Sequence, residues 1–151
     1  MVKILDEKPA PPLIDHVGWR LWRLSRLWKA RFDQEMVDLG HAFMIEARGG
    51  VVGHLRPGGA SQASLARAMG VSKQAVQQLV DELVSEGIVT REPDPDDGRG
   101  KRVVLTGKGV KALEDSNRIK ERIETDYAAR LGKARFAVLL EALDVLTADE
   151  G

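Results

Sequence analysis

The sequence predicts a mainly α-helical fold with one small β-hairpin, of the α+β class. Three observations predict it: helical periodicity near both ends of the chain, two short helices joined by a glycine turn in the middle, and two β-rich runs around a Pro/Gly/Asp loop. With 151 residues, of which 43% are hydrophobic and 30% charged, the chain has the composition of one ordinary globular domain.

The N-terminal third predicts an arm, a long helix and a weaker helix. Residues 1–12 end in closely spaced prolines and predict a flexible arm. Apolar residues then recur at helical spacing from about Asp15 to Leu39, and Gly40 predicts the end of this helix. A second helix is expected over about 41–55, weakened by three internal glycines, and a loop follows over 56–59.

Two short helices with a tight connection come next. Ser61 and Ser72 can each cap one of them, because a serine side chain accepts a hydrogen bond from the free N–H groups of a helix start. Gly70 supplies the left-handed turn after the first helix, and Gly87 ends the second at about Glu86. Such a helix, Gly-Val-Ser turn and helix are typical of a helix-turn-helix.

A hairpin and two further helices complete the predicted elements. The β-rich runs 88–91 and 101–105 flank a Pro/Asp/Gly loop over 93–100, which predicts a hairpin with a long tip. A long polar helix is expected from a Thr106 cap to about residue 130, and a last helix over about 133–147.

Catalysis, cofactors and bound metals are not expected. The chain has no cysteine, which excludes disulfides and thiolate zinc sites. His16, His41 and His54 share no metal-ligand spacing, no G-x-S-x-G, phosphate-loop or H-E-x-x-H motif occurs, and the acidic loop at 94–97 lacks the glutamate of an EF-hand. No apolar run approaches the roughly 20 residues of a membrane helix, and the first residues lack a signal-peptide core. We therefore expect a cytoplasmic protein with no membrane association.

Charge is unevenly distributed although the net charge is zero. Residues 19–31 contain five bases and no acid, and residues 99–111 again contain five bases and no acid. A basic patch, rather than the total charge, is what a nucleic-acid ligand meets.

The second helix of the central pair has a candidate DNA-contacting face. Its apolar residues fall on one side at 100° per residue, and the start of the opposite side carries amides and one cation. Glutamine can form a bidentate pair with adenine in the major groove, and lysine can reach guanine or phosphate. The alternative is a solvated face that contacts nothing. The candidates here and at the start of the preceding helix are Ser61, Ser64, Ser72, Lys73, Gln74, Gln77 and Gln78.

The hairpin resembles the wing of the MarR family of bacterial transcription regulators, whose signature is D-x-R…V-x-L-T-x-x-G. The approach to the hairpin from Gly87 to Arg91 is also similar, and the resemblance covers about Phe43 to Gly109. Many members have a second arginine where Gly98 stands, so a weaker wing contact is expected here. The matching residues are Asp97, Arg99, Val103, Leu105, Thr106 and Gly109.

The resemblance implies a winged helix-turn-helix that binds double-stranded DNA. Arg99 at the wing tip suits a narrow minor groove, which concentrates negative potential. Lys101 and Arg102 suit phosphate contacts. Asp97 is a further candidate: it either forms a salt bridge with Arg99 or another base, or only favours the turn.

The resemblance also implies a homodimer. Residues 13–40 and 107–151 would form the dimerisation helices, and residues 41–106 the DNA-binding lobe. Two-fold symmetry would place the DNA-contacting helices of the two copies, the second helix of each central pair, about 34 Å apart on a pseudo-palindromic operator. The alternative is packing within one chain. The candidate interface residues are Leu13, Ile14 and Val17 with Phe136, Leu139, Leu143 and Leu146.

A small-molecule effector is implied as well, since many relatives accept aromatic carboxylates in a crevice beside the dimer helices. The expected function is a repressor that such an effector releases from DNA; a winged-helix module that binds protein, or a metal-responsive regulator, is the alternative. Ordinary core and interface packing of the aromatic residues is at least as compatible with the sequence. The effector candidates are Trp19, Arg20, Trp22, Arg23 and His41.

Overall fold

The computed structural model describes residues 9–148, and in this range it contains six α-helices, a short 3₁₀ helix and three β-strands. Residues 1–8, which belong to the predicted arm, and residues 149–151, which end the predicted dimerisation segment 107–151, lie outside the described residues. Residues 9–12 are exposed and have no regular secondary structure. The elements are α1 (Val17–Asp38), the 3₁₀ helix (Ala42–Ile45), α2 (Ala47–His54), β1 (Ala60–Ser61), α3 (Gln62–Met69), α4 (Lys73–Ser85), β2 (Val89–Pro93), β3 (Lys101–Leu105), α5 (Gly107–Leu131) and α6 (Lys133–Thr147).

The predicted helix-turn-helix is confirmed, together with its local causes. The Ser61 side chain accepts a hydrogen bond from the backbone N–H of Ser64 at 3.1 Å, and the Ser72 side chain accepts one from that of Ala75 at 3.1 Å. Between the two helices Gly70 adopts the left-handed conformation with φ of 66°. Each helix therefore begins at a side-chain cap, and the first ends at a residue without a Cβ.

The predicted helix over 41–55 is instead two pieces, a 3₁₀ helix and α2. Glu46 between them is extended, with ψ of 174°. Gly49 explains the arrangement: a Cβ built on it would lie 2.2 Å from the carbonyl oxygen of Met44. The glycine that weakens the helix in isolation thus allows the 3₁₀ helix to pack directly on α2.

The hairpin forms as predicted, and a third strand joins it. The strand order is β1-β3-β2, and both pairings are antiparallel. In the hairpin Val89 pairs with Leu105 and Pro93 with Lys101, and the two residues of β1 extend the sheet beside Val103. Strand β1 was not predicted, because two residues are too few to show an alternating pattern.

Two separate cores hold the chain together. The larger core lies within the winged helix-turn-helix and combines buried side chains of α2, α3, α4 and the sheet. The smaller core joins α1 to α5 through Met36, Ile119 and Ile123. Helix α6 contributes no buried residue, and none of the helices in the described range is long and apolar enough to cross a membrane.

Candidate nucleic-acid interface

Helix α4 is anchored by one face and presents the other to solvent. Val76, Val80 and Leu83 are fully buried in the larger core. The predicted contact residues at the helix start all lie on the exposed face. The apolar face therefore anchors the helix in the core, while the polar side chains remain accessible to a ligand. These exposed residues are Ser72, Lys73, Gln74, Gln77 and Gln78.

The two serines at the start of α3 are half-buried and already bonded. The Ser61 hydroxyl donates to the Ser64 hydroxyl at 3.0 Å, and the Arg67 guanidinium donates to Ser64 Oγ at 3.2 Å. Their first role in this structure is therefore to cap and order the helix start. Arg67 was not among the predicted contacts, and it brings a cation to the same corner of the fold.

The wing places Arg99 at an exposed position in the loop between β2 and β3. The Asp97 side chain accepts a hydrogen bond from the backbone N–H of Arg99 at 3.1 Å, and the Asp97 carbonyl accepts one from Gly100 at 3.0 Å. Within residues 9–148 Asp97 forms no salt bridge with Arg99, so its visible role is to shape the turn. Lys101 is exposed, whereas Arg102 is half-buried against Gly58.

Arg91 connects the wing to both helices of the pair, and the sequence analysis missed it. Its guanidinium donates to Gln62 of α3 at 2.9 Å and to Asp81 of α4 at 2.5 Å. A single side chain on β2 thus links the wing to both α3 and α4. The only sequence signal was a lone arginine in a β-rich run, which is not specific.

The effector candidates near the start of α1 lie together on the surface. The rings of Trp19 and Trp22 stack with centroids 4.8 Å apart, and the Arg26 guanidinium lies 4.9 Å from the Trp22 ring. Arg20 forms two hydrogen bonds with Asp15, at 2.5 and 2.7 Å. Arg23 is exposed beside this stack.

His41, the remaining effector candidate, is not part of that surface within one chain. It follows the far end of α1, about 30 Å from Trp19 at 1.5 Å per helical residue. His41 is buried, and its Nε2 lies 2.9 Å from Oδ2 of Asp115 on α5. Within one chain, therefore, His41 and the tryptophans lie at opposite ends of α1, and its place in an effector site stays a prediction.

Asp115 is surrounded by cationic and polar hydrogen-bond donors. Lys111 Nζ lies 2.7 Å from both carboxylate oxygens, and Arg118 lies 3.1 Å from Oδ1. The hydrogen bonds from Lys111 and then from His41 stabilise the charged carboxylate and lower the pKa of Asp115 from 3.8 to about 2. This cluster lies where α1 passes into the winged helix-turn-helix.

A largely apolar crevice of about 340 Å³ lies between α1, α5 and α6. Its walls include Leu21 and Trp28 of α1, Tyr127 of α5, and Phe136 and Leu139 of α6. The predicted interface residues are thus divided between two environments. Phe136, Leu139 and Leu143 line the crevice, whereas Leu13, Ile14, Val17 and Leu146 are exposed.

No group of three or more His, Cys, Asp or Glu side chains in the described part of the chain is placed to hold a metal ion.

Comparison with known families and proteins gives one consistent result. A model described as "MarR family" matches residues 48–100, which include α3, α4 and most of the hairpin. A protein of Thauera aromatica described as a putative transcriptional regulatory protein for the hcr operon is 33% identical over 85 residues. That alignment covers 56% of this chain and 51% of the relative, so it spans about half the length of the relative.

Solved structures of similar fold cover nearly the whole chain. The transcriptional regulator Tm0710 of Thermotoga maritima is 26% identical, with a TM-score of 0.63, over 87% of this chain and 91% of its own. The transcriptional regulator PA3341 is 29% identical, with a TM-score of 0.64, over 89% and 97%. A MepR–DNA complex from S. aureus is 22% identical, with a TM-score of 0.69, over 89% and 99%, and shows similarity of fold alone.

These matches agree with the geometry described above. The family match spans the helix pair, β2 and the hairpin loop, and the fold similarity to the solved regulators extends over 87–89% of the chain. Residues 48–100 of the chain are thus similar to the MarR family, and most of the chain has the fold of solved transcriptional regulators.

Proposed function

We propose that this protein is a homodimeric regulator that binds double-stranded DNA sequence-specifically, represses transcription, and is released by a small-molecule effector. The single observation that supports DNA binding best is α4: three fully buried side chains anchor it, and its amide-bearing face is exposed beside a wing with Arg99 at its tip. Such a helix fits the major groove, and such an arginine fits the adjacent minor groove. We call α4 the recognition helix from here on.

The start of the recognition helix favours an anion. Its first turn contains no acidic residue, and its free N–H groups and helix dipole attract a phosphate. Gln74, Gln77 and Gln78 would read base edges, while Lys73, Lys101 and Arg102 would contact phosphates. A structure of the same fold, MepR of S. aureus, has been solved in complex with DNA, which supports the proposal. A cytoplasmic location is part of the same proposal.

Helix α6 supports the homodimer. Ten of its 15 residues are Ala, Val, Leu or Phe, yet none is buried within the chain. Val138 and Val145 are 63% and 66% exposed, on the face opposite Phe136 and Leu143. A helix with apolar side chains on two opposite faces can bury only one of them within its own chain, and a second copy would cover the other. The exposed Leu13, Ile14 and Val17 would add to the same interface.

The helical part of the protein offers two candidate binding sites for the effector. The crevice between α1, α5 and α6 is apolar enough for an aromatic compound. The Trp19–Trp22 stack beside Arg23 offers a ring surface and a cation. A structure of S. aureus MepR, 21% identical, has ethidium bromide bound, so this fold can accommodate a planar aromatic molecule. An effector that binds one spacing of the two recognition helices more tightly would release DNA.

The salt dependence of binding tests DNA recognition directly. The full-length protein would first select its site from a random duplex pool, and its affinity for that site would be measured from 50 to 200 mM salt. A dimer that neutralises roughly 6–10 phosphates loses about 10³–10⁵ in affinity across this range. Absence of duplex binding at low salt would favour the protein-interaction module instead. Loss of binding after chelation of divalent metals would favour the metal-responsive regulator.

A further inference from the structure

The second half of the recognition helix carries a concentration of acidic residues. Asp81 and Glu82 lie in its last turns and Glu86 is its C-cap residue, and its last turn contains no basic residue. Carboxylates at a helix C-terminus interact unfavourably with the helix dipole, and next to a duplex they repel the phosphates. Side chains from other elements must therefore neutralise them if the helix is to lie in a groove.

Arg48 of α2 supplies most of that neutralisation. Its Nη1 contacts the carboxylate of Glu86 and lies 3.9 Å from Oε2 of Glu82, while Nη2 lies 2.9 Å from Oε2 of Glu46. Asp81, the third acid of the helix, is held by Arg91 instead. Two arginines from outside the recognition helix thus account for all three of its carboxylates near the C-terminus.

The Arg48 side chain is held more tightly than a surface arginine. Only 18% of it is exposed, whereas the exposed fractions of its partners Glu82 and Glu86 are 45% and 36%. Its Nε is buried and has no hydrogen-bond partner among the described residues. A planar guanidinium that contacts three carboxylates in this way fixes their relative positions, which a flexible ammonium group does not.

The location of Arg48 joins two functional parts of the chain. It lies in the first turn of α2, directly after the 3₁₀ helix through which α1 leads into the winged helix-turn-helix. Its third partner, Glu46, is the residue between that 3₁₀ helix and α2. A displacement at the end of α1 would therefore reach the C-terminal end of the recognition helix through one side chain.

We propose that Arg48 is a positioning residue for DNA recognition: without touching DNA, it sets the orientation of the recognition helix by holding Glu82 and Glu86 from α2. The inference rests on the proposed DNA binding. The glutamines at the helix start read bases only if the helix axis is held at the correct angle. Small angular errors at one end displace the other end, which costs specificity as well as affinity.

The test compares Arg48→Gln with a matched control in the full-length protein. Arg122→Gln removes an ion pair of the same type, that of Arg122 with Glu35, which links α5 to α1 and does not touch the recognition helix. Both variants would be tested on the wild-type site and in a new selection from the random pool. We expect about a tenfold loss of affinity and a broader base preference for Arg48→Gln, and neither change for the control.

A double-mutant cycle identifies the partner. Glu86→Gln and the double variant are measured on the same site, and we expect the effects of the two changes to be strongly non-additive. The exchange Arg48→Glu with Glu86→Arg should restore most of the base preference. If Arg48→Gln fails to fold, Arg48→Lys retains the charge without the planar fork and should show an intermediate broadening.

The outcomes separate the two proposals. An unchanged base preference in Arg48→Gln, with any loss of affinity matched by the control or explained by a smaller folded fraction, would overturn the positioning role and leave DNA binding intact. Wild-type protein that selects no duplex at low salt would overturn both.

Discussion

His41 Nε2 lies 2.9 Å from Oδ2 of Asp115, and both side chains are buried where α1 ends against α5. The two residues are 74 positions apart in the sequence, so their contact ties the entry of the winged helix-turn-helix to the long helix that leaves it. Lys111 and Arg118 bind the same carboxylate from within α5. This junction is therefore held by charge-assisted hydrogen bonds in addition to apolar packing.

The pH dependence of stability follows from Asp115. Its pKa in the folded protein is about 2, below the ordinary 3.8, so the folded state favours the charged form. The resulting stabilisation is present above pH 4 and is lost as the pH falls towards 2. We expect Asp115→Asn to lower the free energy of unfolding at pH 7, and the difference from wild type to shrink below pH 4. Urea unfolding of both proteins at pH 7, 5 and 3 measures this difference. A difference in unfolding free energy that is the same at all three pH values would contradict the role given to the Asp115 carboxylate.

Gln77 should contribute to base selection. Gln77→Ala removes an exposed amide from the recognition helix without disturbing the core. We expect a loss of about 1–3 kcal/mol on the selected site and a changed preference at one base position. The control is Gln34→Ala, which removes an exposed glutamine on α1 that bonds to Asp38. An unchanged base profile in Gln77→Ala would exclude it from direct readout.

Arg99 and Lys101 should contact different parts of the duplex, Arg99 the minor groove and Lys101 a phosphate. We expect Arg99→Ala to weaken binding most on sites with A·T-rich flanks, because a narrow minor groove attracts arginine. Lys101→Ala should weaken binding equally on all sequences and reduce the salt slope by about 1. Both variants would be measured on duplexes that differ only in their flanks. A loss from Arg99→Ala that is independent of the flanks would reduce Arg99 to a phosphate contact.

The homodimer can be tested by substituting apolar residues of α6 that are exposed in the single chain. Val138 and Val145 are exposed on the chain described here, so Val138→Glu and Val145→Glu would be harmless surface changes in a monomer. In a dimer that buries α6 they would each bury a charge, and we expect dimerisation to weaken at least about tenfold. Sedimentation equilibrium measures this, with Thr125→Glu on α5 as the control. If dimerisation is unchanged in both variants, α6 does not form the dimer interface, and another face of the protein must be tested.

The sequence predicts those parts of the fold that depend on local signals. The caps at Ser61, Ser72 and Thr106 and the turn at Gly70 are decided within three or four residues, so the bounds of α3, α4 and the start of α5 could be derived. The face of α4 also follows from periodicity alone, because 100° per residue separates Val76 and Val80 from Gln77.

The remaining features depend on residues distant in sequence. Strand β1 exists because β3 lies beside it, and the break at Glu46 depends on the packing of Gly49 against Met44. The pairing of His41 with Asp115 joins positions that no sequence pattern relates. For the same reason the effector candidates were grouped by residue type, and the structure separates His41 from them.

The contact of Arg48 with Glu82 and Glu86 was equally beyond prediction. An arginine in a helix with three glycines is an ordinary solvated residue by sequence, and only the packing of α2 on α4 removes it from water. The crevice between α1, α5 and α6 likewise needed tertiary structure, although the spacing of Leu21, Leu24 and Trp28 was visible in the sequence.

The exposed apolar residues of α6 have a consequence for how long the protein persists in a cell. If a second copy supplies the missing core, chain association and completion of folding are one equilibrium, so the melting temperature rises with protein concentration. A cell that makes few copies would then hold a larger fraction of incompletely folded chains, which proteases remove first. A fall in the abundance of this regulator would thus shorten the lifetime of the chains that remain, independently of any ligand.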